Sequence, residues 1–466
     1  MSWGLLIDSC LLAFLVTFLA VVIGWCVSLF LVGASGWKRV IFLVGVVSSF
    51  SLPPFLVVNT WLGLFGKVGL LKSWFLLDAY SFGGAAWVLA MMFWPVPCLM
   101  SFGALKRLTP ELLDAEPGLR GWGLVKCVLF PISYSALFQS GVIVFVLAFN
   151  NIAVPAILQV KVFPAQFWVQ FSSTYNFQMA WQYGWVLALI PMVILLAFSG
   201  RTIAWPWESQ GLDSNVFLER IGYIIRHFST VLFGAIIVVS LLLPLGHLLL
   251  NGRTWLGFSD AIQAGSRSIF NSFCFAFLTA TLVSIIGALT SSLKGFRLTW
   301  LFLFLPGVLL GVVWISIFNR PFLDWFYGSG CMVVTALGLR YFALGWEGMR
   351  GAKNSIDTDL VNATDLFGLP WWQRWIHLLQ PQVGWAIFAV WYVIYLLCLW
   401  DTETVVLIVP PGGETLALRV FNLLHYGHHA QVNALCLILL LLALLPLILG
   451  FLVRLMIKKW LKQDEL

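Results

Sequence analysis

The sequence predicts an all-α polytopic membrane protein. Three observations carry this: 61% of residues are hydrophobic, only 10% are charged, and the mean hydropathy is +0.96. A soluble domain carries roughly 25% charged residues. The apolar residues are gathered into runs long enough to cross a ~30 Å hydrocarbon core as helices. In lipid the backbone must satisfy itself, which favours helices over open strands. This composition excludes a soluble enzyme, a nucleic-acid-binding domain, a disordered chain and a disulfide-stapled secreted scaffold.

The chain divides into about 11 predicted spans: Leu11 to Leu31, Ile41 to Phe65, Gly84 to Leu105, Ile132 to Phe149, Ala180 to Phe198, Phe228 to Leu250, Ile269 to Leu293, Leu298 to Phe318, Gly330 to Trp346, Val383 to Trp400 and Val432 to Val453. Pro53-Pro54, Pro95 and Pro306 mark kinks within them. With the N-terminus outside and the C-terminus in the cytoplasm, most of the 26 Lys and Arg residues fall on the inner side, as the positive-inside rule requires. The net charge of +7 reflects that sidedness rather than a nucleic-acid partner. The N-terminus MSWGLLIDSC lacks the basic region of a cleavable leader. The eight cysteines form no CxxC pair and read as buried hydrophobes.

Two halves repeat. An inner loop runs to Pro131, and the span after it closes on Asn150-Asn151. A second loop runs to Pro381, and Asp401 and Glu403 follow its span. Leu112-Leu113-Asp114-Ala115 parallels Leu360-Val361-Asn362-Ala363. Six predicted spans separate the loops, so both face the same side. The expected organisation is two parallel pseudo-repeats of five and six spans, residues 1–205 and 206–466, with inner loops at 106–131 and 351–381. The first half would lack one initial helix.

Each loop reads as two short helices with a sharp turn. In the second, Ser355 is the expected N-cap, with Asp357 and Asp359 in the first turn. Ile356, Leu360, Ala363 and Phe367 make one apolar face, Gly368 ends the helix, and Pro370 opens the next. In the first, Thr109 caps, Pro110 follows, and Gly118 or Gly121 turns the chain.

On these residues the chain resembles a family. Asn362-Ala363-Thr364-Asp365-Leu366-Phe367-Gly368, running on to Pro381, is similar to the EAA motif of ABC importer permeases; Ala363, Gly368 and Pro381 match, while Asn362 and Thr364 depart from it. Asp114, Ala115 and Gly118, followed by Pro131, form a more degenerate first copy. The segments Val144 to Leu158 and Asp401 to His429 resemble fused, two-half permeases of the ferric iron and thiamine importer group.

The resemblance implies a bacterial inner-membrane permease of a binding-protein-dependent importer. It would couple through both loops to two cytoplasmic ATPase subunits and receive its solute from an extracytoplasmic binding protein. It also implies that the chain itself is not an enzyme and carries no cofactor. No GxxxxGK[ST] phosphate loop is present, so ATP hydrolysis is expected in separate subunits. The alternative reading is a carrier driven by an ion gradient, which needs ionisable groups near mid-span. Arg340 is the candidate there, with Asp401 or Glu403 as its expected partner. Asn150, Asn151, Asp401 and Glu403 are candidate residues of the translocation path or its outer mouth. His425, His428 and His429 read as a solvated loop rather than a metal site.

Overall fold

A computed structural model describes the chain outside residues 1–2, most of 67–77, most of 110–117, most of 175–213, 294–295, 367–369, 426–428 and 464–466. The described residues are helical, with no strand among them. Among the described residues, six continuous helices are long and apolar enough to span: α1 (Trp3–Gly33), α6 (Gly121–Asn150), α10 (Tyr223–Leu250), α11 (Phe258–Thr290), α16 (Trp372–Trp400) and a C-terminal helix whose apolar stretch is Gln431–Val453. Three bent pairs raise the number to nine. The described residues thus supply six to nine candidate spans, against the expected count of about 11 for the whole chain. Most of the expected span Ala180 to Phe198 lies outside the described residues.

Proline lies at the breaks within the expected spans. The expected span Ile41 to Phe65 is α2 (Gly36–Phe50) and α3 (Pro54–Phe65), which meet at 84°. Gly84 to Leu105 is α4 (Phe82–Phe93) and α5 (Pro95–Leu105), bent by 41°. Leu298 to Phe318 is interrupted at Pro306 into α12 (Trp300–Phe304) and α13 (Gly307–Phe318). Pro53 and Pro306 hold nearly the same extended conformation, φ −58° and ψ 135° against φ −55° and ψ 134°. A proline ring offers no N–H and disfavours helix at the residue before it, so the chain turns there and a new helix begins. α14 (Gly330–Asn354) is 25 residues long, but Arg340 and Glu347 lower its apolarity below that of the other spans.

The two prolines expected to end the inner loops do something else. Pro131 and Pro381 lie inside continuous helices. Gly121–Leu124 leads through a π-helical turn, Val125–Leu129, into Phe130–Asn150. Trp371–Arg374 leads through another, Trp375–Leu379, into Gln380–Trp400. Each boundary in the second set is 250 positions beyond its partner in the first. The cause is the missing proline N–H together with the clash of its ring against the preceding turn. Widening one turn absorbs both. Pro244 in α10 follows the π turn Val238–Leu242 in the same register.

Packing repeats as well. α1 packs on α5 and α6, and α11 packs on α14 and α16 in the same way; α5 lies against α6 as α14 lies against α16. Small residues permit the close crossings. A Cβ on Gly24 of α1 would stand 2.7 Å from the Trp94 carbonyl oxygen, and one on Gly287 of α11 would stand 2.9 Å from Gly345 backbone. α10 has no described counterpart. It crosses to pack on α1 and α3. The seam is also fastened by buried polar pairs: Ser49 with Ser240, Ser51 with Tyr392, and Asn59 with Asn433.

Candidate functional site

Both repeated helices end in the same local device. Asn151 Oδ1 accepts from the Val154 N–H at 2.9 Å and caps α7 (Ala153–Ile157). Asp401 Oδ1 accepts from the Thr404 N–H at 2.8 Å and caps α17 (Val405–Ile408). A short acceptor side chain at an N-cap satisfies a donor that the helix leaves free. The capping positions are again 250 apart.

What surrounds the caps differs. In the second half Arg340, in the middle of α14, donates through Nη1 to Asp401 Oδ2 at 2.9 Å and through Nη2 to Glu403 Oε2 at 2.7 Å. Tyr341 donates its hydroxyl to Asp401 Oδ2 at 2.8 Å. The Thr404 hydroxyl accepts from Arg340 and donates to Asp401. Arg340 is 4% exposed and the Asp401 side chain 1%. A guanidinium at this depth is tolerable because both carboxylates are within bonding distance. Glu403 also accepts the backbone N–H of Ile152, from the first half. The expected pairing of Arg340 with Asp401 or Glu403 is thus realised with both.

The cluster faces a cavity of about 70 Å³ between the two sets of helices. Its walls come in matched pairs. Leu147 stands with Leu397 and Asn151 with Asp401, while Met92 and Phe93 stand with Arg340 and Tyr341. Ser81 and Ser329, which precede α4 and α14, fix that last correspondence.

Asn150 has a different placement. It is buried and donates to the carbonyls of Phe304 and Leu305, at 3.2 and 3.4 Å. The break at Pro306 leaves those oxygens outside a helical ladder. Its role in this arrangement is to join the halves at the break.

At the inner loops, Asn362 lies exposed on α15 (Thr358–Leu366), which also contains Ala363. Gly118 sits in an exposed turn with nothing near its Cα to oppose a side chain. Asp114, Ala115 and Gly368 lie outside the described residues. Ser355 is not the N-cap: it ends α14, and Asp357 Oδ1 accepts from the Asp359 and Leu360 N–H groups instead. The carboxylate reaches those donors from the residue directly before the helix, which Ser355 does not occupy. His428 falls outside the described residues, and no group of three His, Cys, Asp or Glu is gathered as a metal site among those described.

Sequence reasoning missed Tyr341, Thr404 and the Ile152 contact. An Asp three residues before a Thr, just past a helix, is a readable capping signal. The Ile152 contact is made by backbone and leaves no trace in composition.

Long apolar helices packed around a cavity with one charged wall mark the chain as a multi-pass helical membrane protein. It resembles ABC importer permeases, and the similarity is to the ferric iron type. It is 24% identical to the ferric transport system permease protein FbpB of Actinobacillus pleuropneumoniae over 354 residues, 67% of this chain and 51% of that protein. It is also 24% identical to a ferric transport system permease protein of Haemophilus influenzae over 328 residues, 63% of this chain and 51% of that one. The chain spans about half the length of the curated relatives it matches. No family model matches it, and no solved structure matches it.

Proposed function

We propose that the chain is the membrane permease subunit of an ATP-driven importer in the bacterial inner membrane, with ferric iron as its cargo. Residues 1–205 and 206–466 are its two halves, and the N-terminus lies outside. Two cytoplasmic ATPase subunits dock on the loops at 106–131 and 351–381, and an extracytoplasmic binding protein delivers the iron.

The observation that carries this reading is the repeated unit: loop, π turn at a proline, long helix, polar cap. A long helix rises about 1.5 Å per residue, so each of α6 and α16, 30 and 29 residues, reaches from its loop to the cavity at its other end. Force applied at two equivalent loops is transmitted to two equivalent caps, and alternating access follows from tilting the two helices together. Asp114, Ala115 and Gly118, with Asn362, Ala363 and Gly368, take the force in this scheme. The iron assignment rests on the ferric permeases the chain resembles.

The test is reconstitution of the chain with its ATPase and binding protein in proteoliposomes. ATP-dependent uptake of labelled ferric iron, not competed by thiamine, is expected. Gly368→Trp abolishes uptake. Uptake that persists without ATP and follows an imposed ion gradient would instead favour the gradient-driven carrier.

A further inference from the structure

We infer that Glu403 is the residue of the passage that contacts the cargo cation, and that the indole N–H of Trp400 and Nε of Arg340 hold the cation's own oxygen ligands. The inference rests on the permease reading above and gives it a contact point.

The carboxylates at the cavity are not equivalent. An ionised carboxylate offers about four lone-pair sites. Asp401 is held by four donors, the Thr404 N–H on Oδ1 and the Thr404 hydroxyl, the Tyr341 hydroxyl and Arg340 Nη1 on Oδ2, and its side chain is 1% exposed. It is a positioning residue, fixed in place. Glu403 lines the same cavity with two partners, Arg340 Nη2 and the Ile152 N–H. It has capacity left, and its Ile152 bond crosses the seam that must open for anything to pass.

Two donors on that wall are unused. Arg340 Nε and Trp400 Nε1 are buried without a hydrogen-bond partner, and both residues line the cavity. An unpaired buried donor costs free energy of about 1–3 kcal/mol; at a site that works by transient occupancy, an arriving group can satisfy it. A highly charged hard cation does not travel bare. It carries water, hydroxide or chelate oxygens, which are acceptors. The wall thus presents a carboxylate for the metal and N–H groups for its shell.

When both carboxylates are ionised, Arg340, Asp401 and Glu403 together carry one net negative charge, and the wall then attracts a cation. The cavity now holds at most a few waters, since each needs about 10–15 Å³ on the same measure. Entry of the cargo requires the halves to part, and Glu403 then exchanges the Ile152 N–H for the cation. A passage has to release what it touches, and one carboxylate without further His, Cys, Asp or Glu ligands among the described residues suits release.

The experiment measures ATP-dependent uptake of labelled ferric iron by the full reconstituted transporter, comparing wild type with Glu403→Gln, Glu403→Asp and Trp400→Phe. Glu403→Gln is expected to lower uptake about tenfold and Trp400→Phe about threefold. Glu403→Asp should recover part of the loss. Trp400→Phe breaks no hydrogen bond in this structure and keeps an aromatic ring against Phe50, so a melt no lower than that of the wild type shows that its lost uptake reports contact rather than folding. Wild-type uptake with both Glu403→Gln and Trp400→Phe transporting normally would overturn the inference. Absent uptake by wild type would overturn the permease reading itself.

Discussion

The ends of α6 and α16 are the two regions most worth comparing. Both carry a π turn before the proline, the same helix length beyond it, and an Asx-type cap at the far end. Yet Asn151 shares its cavity wall with Met92 and Phe93, and Ala153 follows it in the chain, whereas Asp401 bonds Arg340 and Tyr341, and Glu403 follows it and pairs with the same Arg340. The frame is shared and the charge is not. Structure needed twice is repeated; chemistry needed once has been placed in one half. The neutral half also demonstrates that the cap and helix end do not require charge to form.

The largest expected effect comes from breaking the cluster by a single member. Arg340→Met leaves two carboxylates buried without a cation, which should cost about 3–5 kcal/mol, read as a lower melting temperature in detergent. The triple variant R340M/D401N/E403A installs the first half's residues at the matching positions. It should melt closer to wild type than Arg340→Met does, while transporting no iron. A triple variant less stable than the single one would break the comparison, because the charge would then be part of the frame.

Next in size is Asn150→Leu. It removes two bonds to the Phe304 and Leu305 carbonyls and leaves them buried, a loss of about 1–3 kcal/mol, again visible in the melt. Trp400 occupies the matching place in the other half with no such bonds, so Trp400→Leu should be milder in its polar cost.

Pro131→Ala and Pro381→Ala sharpen the comparison differently. With the N–H restored, the π turn can relax to α-helical register, turning the loop side against the span by about 100°. Stability should change little, but uptake per ATP hydrolysed should fall. Labelling of Cys127, an exposed thiol within the first π turn, should change in Pro131→Ala and not in Pro381→Ala. Gly222→Ala leaves the site untouched and affects stability alone: Gly222 sits at φ +81° beside Gly121 at φ +55°, and a left-handed non-glycine residue costs about 1–2 kcal/mol, measurable by the same melt.

Much of the fold is legible in the sequence because lipid imposes a strong pattern. Apolar runs locate the helices, and Pro53, Pro95 and Pro306 locate their breaks. The π turns are not legible, since Val125–Leu129 and Trp375–Leu379 have ordinary helical composition, and Pro131 and Pro381 read as loop ends. At the site, Arg340, Asp401 and Glu403 stand out because charge is rare in an apolar chain. Tyr341 and Thr404 do not, because hydroxyls carry no such signature and their role depends on which helices meet. Asn150 reads as a pathway residue on polarity alone; only the break opposite it, 154 positions away in sequence, reveals the structural bond. Asp357 displaces Ser355 as a cap because both types favour that role and only the backbone path decides between them.

Docking of two ATPase subunits requires that the two halves present equivalent loops to the same side of the membrane. Single cysteines at Asp114 and at Asn362, in a chain cleared of its eight native thiols, test it with a membrane-impermeant reagent on sealed vesicles of known orientation. Labelling of both positions from the cytoplasmic face alone is the result expected. Labelling of the two from opposite faces would contradict it.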